Sequence, residues 1–488
     1  MTRRQRLTLI AAILGSSVAF IDGTIVNVAL PAIQRDLGGG LATQQWISNA
    51  YLLTLGSLLL IGGSLGDIYG ERRIFSLGLV GFAVFSVFCA VAPTIGVLIA
   101  ARAFQGAAAA LLTPSSLAVI VGAFSREERG RAVGSWTAWG AIATVIGPLG
   151  GGLIVDNVSW RWIFAINPPL IAITLALVRA AIPPAAEGER RRVDFIGASL
   201  CVIGLAGLVF ALIEQPGYGW GSPVILVPLL VGAASLVSFV GYEHRAPAPM
   251  LKLALFAQRN FSIGNFETLT MYAGLSALLF FLVIFLQQVA GYNALKAGAT
   301  TLPVTAVTFF LSRRFGSLAD RYGPRLFMAL GPLVGAAGIL LLLGTGINTS
   351  YAADLLPGLL VFGLGLSMTV APLTATVLAD ADEGDAGIAS AINNDVARVA
   401  GLVGISVIGV IVASSLSGDT FVRSSQSVTA FHHALLISAG LLIVGGLTAA
   451  IGIINPRRRV QAEGCSGGQL VGAPKRAAGC AEEQQIAA

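Results

Sequence analysis

Five charged side chains stand inside stretches that are otherwise apolar: Asp22, Arg102, Glu267, Asp395 and Arg398. An acid away from water can hold or release a proton, and a nearby arginine can keep it ionised or attract an anion. Such groups suit reversible proton binding or recognition of a charged small molecule. Asp22 opens Asp22-Gly-Thr24-Ile-Val-Asn27-Val-Ala-Leu-Pro31, and Arg102 opens Arg102-Ala-Phe-Gln105-Gly106. Asp395 and Arg398 follow Asn393 and share one helix face at i, i+3 spacing. Each acid also has a plainer reading. Asp22 could be a packing hydrogen bond. Asp395 could be one half of an intrahelical salt bridge that lets Arg398 be buried, or an extra titrating group in a central cavity. Glu267 could snorkel from a helix end and complement the helix N-terminus.

These groups must be held by elements that cross a membrane. The chain has 488 residues, 55% hydrophobic and 11% charged, with a mean hydropathy of +0.82. A soluble domain carries roughly 25% charged residues. A crossing helix needs about 20 apolar residues. Fourteen runs qualify: 7–30, 45–66, 73–92, 96–121, 132–155, 162–182, 195–212, 224–242, 261–286, 294–311, 326–347, 355–378, 386–414 and 431–454. The run at 294–311 is the weakest. The basic N-terminal start plus an apolar run imitates a signal peptide, but the run is too long and carries Asp22, so it is an uncleaved first helix. Ionising an acid at mid-membrane costs about 2.5–3.5 kcal/mol on insertion scales. Asp22 should therefore face the protein interior or a wet cavity and have a partner. At ~1.5 Å per residue it lies ~12 Å inside one end of its helix, and Arg102 lies ~9 Å inside the same side of the fourth. The two are expected to pair.

Placing the N-terminus in the cytoplasm puts twenty-one Lys and Arg in the segments flanking the spans on that side and four on the other. Positive residues gather in cytoplasmic loops, so both termini are expected inside a bacterial cytoplasmic membrane. The acidic loop at 380–385 lacks a basic residue, but acids weigh little in orientation. The net charge of +6 lies between apolar runs, so nucleic acid is not an expected partner. Cys89 and Cys201 sit in apolar runs, Cys465 and Cys480 near the C-terminus. His432 and His433 lack a third ligand. No metal or other cofactor is expected, and no Gly-x-x-x-x-Gly-Lys-Ser/Thr loop is present to bind ATP phosphates.

One stretch occurs twice. Gly63-Ser-Leu-Gly-Asp67-Ile-Tyr-Gly70-Glu-Arg72-Arg73 returns 253 residues later as Gly316-Ser-Leu-Ala-Asp320-Arg321-Tyr-Gly323-Pro-Arg325, each read as a polar loop between apolar runs. Two copies at matching places imply two related halves. The pattern resembles the signature loop of the major facilitator superfamily, although Ile68 stands where the family has arginine. The Asp22–Pro31 and Arg102–Gly106 stretches are similar to motifs of that family's fourteen-helix drug:proton antiporter branch. So is Gly147-Pro148-Leu-Gly-Gly151-Gly152, with Ala143 for its first glycine. Arg398 and the asparagine before it also resemble the branch; Asp395 does not.

The resemblance implies an all-α polytopic fold with two six-helix bundles and two inserted helices. The expected division is 1–182, then linkers and inserted helices at 183–259, then 260–454, with a disordered cytoplasmic tail at 455–488. Asp194 should cap the seventh span. The resemblance also implies a non-enzymatic, monomeric, proton-coupled exporter of small molecules. Asp22, Arg102, Glu267, Asp395, Arg398, Asn27, Gln105 and Asn393 are the coupling or substrate candidates. The repeated loops would latch the cytoplasmic ends, and the Gly-Pro stretch would let its helix kink and pack closely. A secondary importer or uniporter of a metabolite, or a membrane sensor, are the alternatives.

Overall fold

The computed structural model describes residues 1–183, 193–247, 249–379 and 386–455. Residues 184–192 of the linker expected at 183–193, the acidic loop at 380–385 and the tail after 455 lie outside these. Residues 1–453 form one compact unit. It contains fourteen helices long and apolar enough to cross a membrane. We number them α1 (Arg3–Leu37), α2 (Leu41–Tyr69), α3 (Glu71–Ala90), α4 (Ile95–Ala123), α5 (Glu128–Asn157), α6 (Trp162–Ala181), α7 (Phe195–Tyr218), α8 (Pro223–Glu243), α9 (Arg259–Gln288), α10 (Ala294–Tyr322), α11 (Pro324–Gly344), α12 (Tyr351–Ala379), α13 (Gly387–Ser414) and α14 (Ser425–Gly452). No strand occurs among the described residues. In lipid a helix satisfies its own backbone, so an apolar run of this length has little alternative.

The ends are set locally. Thr2 and Gln5 form a capping box at the start of α1. Asp194 caps α7 as expected, accepting from the Gly197 N–H at 2.8 Å. The repeated stretches differ from the sequence expectation. They are not loops: α2 continues to Tyr69 and α10 to Tyr322, so the polar residues form helix ends that leave the hydrocarbon. The turn is confined to Gly70 and Gly323, at φ 88° and 92°, which give their N–H to Gly66 and Ala319. Only glycine adopts that backbone freely. The weak tenth run is a break, not a doubtful span. Its first helical turn stops at Ala299 and restarts at Leu302, where Pro303 supplies no N–H.

α1 packs on α4, α5 and α6, and α9 packs in like manner on α12, α13 and α14. α4 lies between α2 and α3, as α12 lies between α10 and α11. α2 meets α13, and α5 meets the start of α10, so the two sets exchange equivalent neighbours. Helix ends repeat the relation. Arg4 at the start of α1 donates to Ala181 O at 2.9 Å, and Arg259 at the start of α9 donates to Gly452 O at 2.7 Å. Each arginine satisfies a bare carbonyl at the last turn of its set's final helix. α7 fills the groove between α2 and α13 through Cys201, Leu205 and Val209, and α8 packs on α7.

Candidate functional site

A sealed polar centre lies among α1, α3, α4 and α6. Asp22, Arg102, Gln105, Ser86 and Asn167 are all 2% exposed or less. Arg102 forms an ion pair with Asp22 and donates to Gln105 Oε1 at 2.6 Å. Gln105 Nε2 donates to Asp22 Oδ1 at 3.0 Å and to Ser86 Oγ at 2.8 Å. Asn167, behind Pro168 at the kink of α6, donates to Ser86 at 3.2 Å. Arg102 Nε points to Ile47 O at 3.3 Å, and its guanidinium lies 4.3 Å from the Tyr51 ring centroid. The expected pairing of Asp22 and Arg102 is present, and Asp22 faces the interior.

Backbone packing places this centre. A Cβ at Gly106 would strike the Tyr51 carbonyl, so this glycine lets α4 touch α2. Thr54 bridges the contact to Ala103 O at 2.6 Å. Arg102 is thereby held under Tyr51, with Gln105 one turn along on the same face. Removing one partner of a buried ion pair costs about 3–5 kcal/mol, because the other charge is left uncompensated.

The other candidates fall elsewhere. Asn27 accepts from Ser48 at 3.2 Å and ties α1 to α2. Asn393 donates to Asn265 and Thr268 at 3.2 and 2.8 Å, tying α13 to α9. Asp395 and Arg398 form no salt bridge with each other. Asp395 Oδ1 and Arg398 Nε are buried without partners. Both lie against Gly56 of α2; Arg398 is also near Tyr51 and Tyr272, and Asp395 near Cys201 on α7. Glu267 does not snorkel: it is 0% exposed. His432 and His433 serve their own neighbours, Thr345 O at 2.9 Å and Ser415 Oγ at 2.8 Å. No group of three metal-ligating side chains occurs among the described residues.

The Gly-Pro stretch of α5 forms a contact between the two sets. Gly147 and Gly151 lie on Thr24 and Ile25 of α1. Pro148 faces Gly298 of α10, and Gly152 faces the Ala294–Leu295 backbone. One turn on, Asp156 accepts the Ala294 and Leu295 N–H groups at 3.0 and 2.9 Å. Gln34 Oε1 accepts from both Gln44 and Gln288 at 2.5 Å. Gln287 donates to Val28 O, Gln45 to Ile405 O and Asn49 to Ser406 Oγ. Among the described residues, every hydrogen bond joining the two sets lies in the half where α1 ends and α2 begins, here the far face. A cleft of about 620 Å³ above this seam is lined by Gln34, Arg35, Asp156, Gln288, Tyr292 and Arg423. At the opposite face, Asp67 and Asp320 are exposed and form no ion pair among the described residues, and Arg321 stacks on Tyr322. Arg325 instead donates to Ala450 O at 2.7 Å. Gly63 and Gly316 rest on Pro114 and Ala371, while Arg72 and Arg73 follow Gly70 in the first turn of α3.

Sequence reasoning missed Ser86, Gln34, Asp156 and the glutamines of the seam. They are uncharged or sit at helix ends, where polar residues are ordinary. Asn167 had a signal, since an asparagine followed by proline inside an apolar run needs a partner.

A profile of the Major Facilitator Superfamily matches residues 12–405. The chain is 33% identical over 462 residues to the multidrug resistance protein Stp of Mycobacterium tuberculosis, covering 94% of this chain and 86% of that one. It is 34% identical over 408 residues to the puromycin resistance protein pur8 of Streptomyces alboniger, covering 83% and 81%. It is 33% identical over 423 residues to the tetracenomycin C resistance and export protein of Streptomyces glaucescens, covering 85% and 77%. Among solved structures it resembles a bacterial homologue of the human lysosomal transporter Spinster, inward-facing and unoccupied, with a TM-score of 0.64 at 15% identity over 92% of this chain and 97% of that one. The inward-open xylose transporter XylE of E. coli gives 0.60 at 13% identity over 92% and 96%. At such identities the likeness concerns the fold.

Proposed function

The chain belongs to the major facilitator superfamily, and we propose that it is a proton-coupled exporter of small, amphipathic drug-like or natural-product molecules. It is a multi-pass membrane protein. We place it, as a monomer with both termini cytoplasmic, in a bacterial cytoplasmic membrane. The sets at 1–182 and 260–454 would rock about a central site, with α7 and α8 as an inserted pair. The conformation is then inward-open: the far seam is closed and the repeated latches at the cytoplasmic ends are released.

The observation that carries this reading is the sealed Asp22–Arg102–Gln105 centre. Arg102 is the ion-pair partner of Asp22 here; a movement of α4 against α1 would separate the two and free the carboxylate to bind a proton. The names of the relatives, which include resistance to puromycin and export of tetracenomycin C, support drug-like cargo. The energetics are sufficient. One proton entering down about 100 mV supplies ~2.3 kcal/mol, and a pH unit adds ~1.4 kcal/mol. A hundredfold gradient of a neutral molecule costs ~2.7 kcal/mol.

The test is expression in a bacterium stripped of its own pumps, challenged with a broad panel of toxic compounds. The wild type should raise tolerance to several of them, and Asp22→Asn should abolish the gain. In inside-out vesicles those compounds should drive proton efflux from the lumen. Unchanged tolerance across the panel, or full activity of Asp22→Asn, would overturn the reading.

A further inference from the structure

Glu267 lies on α9, ~12 Å along the helix from Arg259. It is 0% exposed, and neither carboxylate oxygen has a hydrogen-bond partner. Its side chain lies against Gly445 of α14, beside Thr270. Ser438, which faces α9 at Gly274, is also buried with an unpartnered hydroxyl. The charged and titratable groups around α9 are few. Arg259 is bonded to the carbonyls of Gly452 and Ile451, and Tyr272 lies near Arg398. α13 carries Asp395 and Arg398, α14 carries His432 and His433, and α12 carries Asp354 at its far end. α1 joins α9 by hydrogen bonds only at the far seam. No ion pair reaches Glu267.

A bare carboxylate cannot be kept in such surroundings, because nothing replaces the water it has lost. The carboxyl must hold its own proton. We propose that Glu267 is a second proton-binding site, in the C-terminal set, loaded in this conformation and discharged when α9 and α14 part. This rests on the proton-coupled reading above and deepens it. The two acids stand in opposite surroundings: Asp22 is paired with Arg102, whereas Glu267 is buried and unpaired. The step is a proton transfer only. Glutamate takes a proton from water reached from one face and returns it to water reached from the other. The cycle then moves two protons, one through each set.

Two measurements test this, both on the full chain with Glu267→Gln and Glu267→Leu. Leucine leaves no polar group behind, so it covers the case in which the amide fails to fold. The first is infrared absorption of purified protein in lipid nanodiscs near neutral pH. In difference spectra, a protonated-carboxyl C=O component that shifts in heavy water should be present in the wild type and in Asp22→Asn and lost from both Glu267 variants, leaving only what the other buried acid, Asp395, contributes. Identical spectra would overturn the proposal, whatever the protein transports. The second is ethidium uptake by inside-out vesicles with an imposed pH gradient. With one coupled proton fewer, accumulation should fall about tenfold per pH unit, while downhill equilibration persists. Wild-type accumulation in both variants would overturn the coupling role. If the wild type moves no ethidium, the export reading is at fault and the infrared result alone decides whether Glu267 binds a proton.

Discussion

Arg102 is a cation with no water and one counter-ion, so the energetics of the Asp22 pair follow from what is left when either is removed. Asp22→Asn or Arg102→Met alone leaves a buried charge with no opposite partner, and each should destabilise the fold by about 3–5 kcal/mol. The double variant leaves none. It should recover most of that loss, because replacing a buried pair by uncharged groups is often neutral. Thermal unfolding in detergent of the three variants checks this; a double variant as unstable as the sum of the singles would refute it. Transport should stay absent in the double variant, which separates folding from coupling. At this scale the sequence was legible where depth along two helices could be compared, as for Asp22 and Arg102. It was misleading where spacing along one helix suggested a pair, as for Asp395 and Arg398. Spacing says that two side chains can meet; the neighbouring helices decide whether they do.

The repeated stretch shows what a hydropathy pattern marks. Apolar runs end where lipid ends, but a helix can continue into water. Gly63–Tyr69 and Gly316–Tyr322 were therefore legible as a repeat and wrongly legible as loops. The conserved-looking glycines within each copy do different work. Gly70 and Gly323 sit at positive φ, and alanine at either position should cost about 1–3 kcal/mol. Gly63 and Gly316 are helical, with the nearest foreign atoms 3.7 and 3.6 Å from a built Cβ. Alanine there should be tolerated or stabilise by about 0.5–1 kcal/mol. Denaturation midpoints of the four single variants should fall into these two classes. Equal losses at all four would mean that packing, not backbone conformation, selects glycine in both copies.

The whole molecule is held in one conformation by a seam that no single motif announced. The Gly-Pro stretch of α5 was readable as a helix built for close approach, but its partner was not, because nothing in a sequence says that residue 152 will meet residue 295. That contact depends on how the two sets face each other. Asp156 reinforces it by accepting two N–H groups from the start of α10, which that helix cannot satisfy internally. Hydrogen bonds to a charged group contribute about 1.5–3 kcal/mol each when protected, and less at an exposed position such as this one. Losing both through Asp156→Ala should weaken the far-face closure by about 1–2 kcal/mol, a five- to thirtyfold shift in the balance of conformations. The shift must favour opening at the far face, since the bonds exist only when that face is shut. Spin labels at Val158→Cys and Ser417→Cys, on opposite sides of the seam in a background without native cysteines, should report a longer distance population growing at the expense of the short one. Gly152→Val should move the balance the same way by a different route, wedging α5 off Leu295 and leaving Asp156 intact. An unchanged distance distribution in both variants would mean that the closure is set by the glutamine cluster around Gln34 and not by the α5–α10 contact.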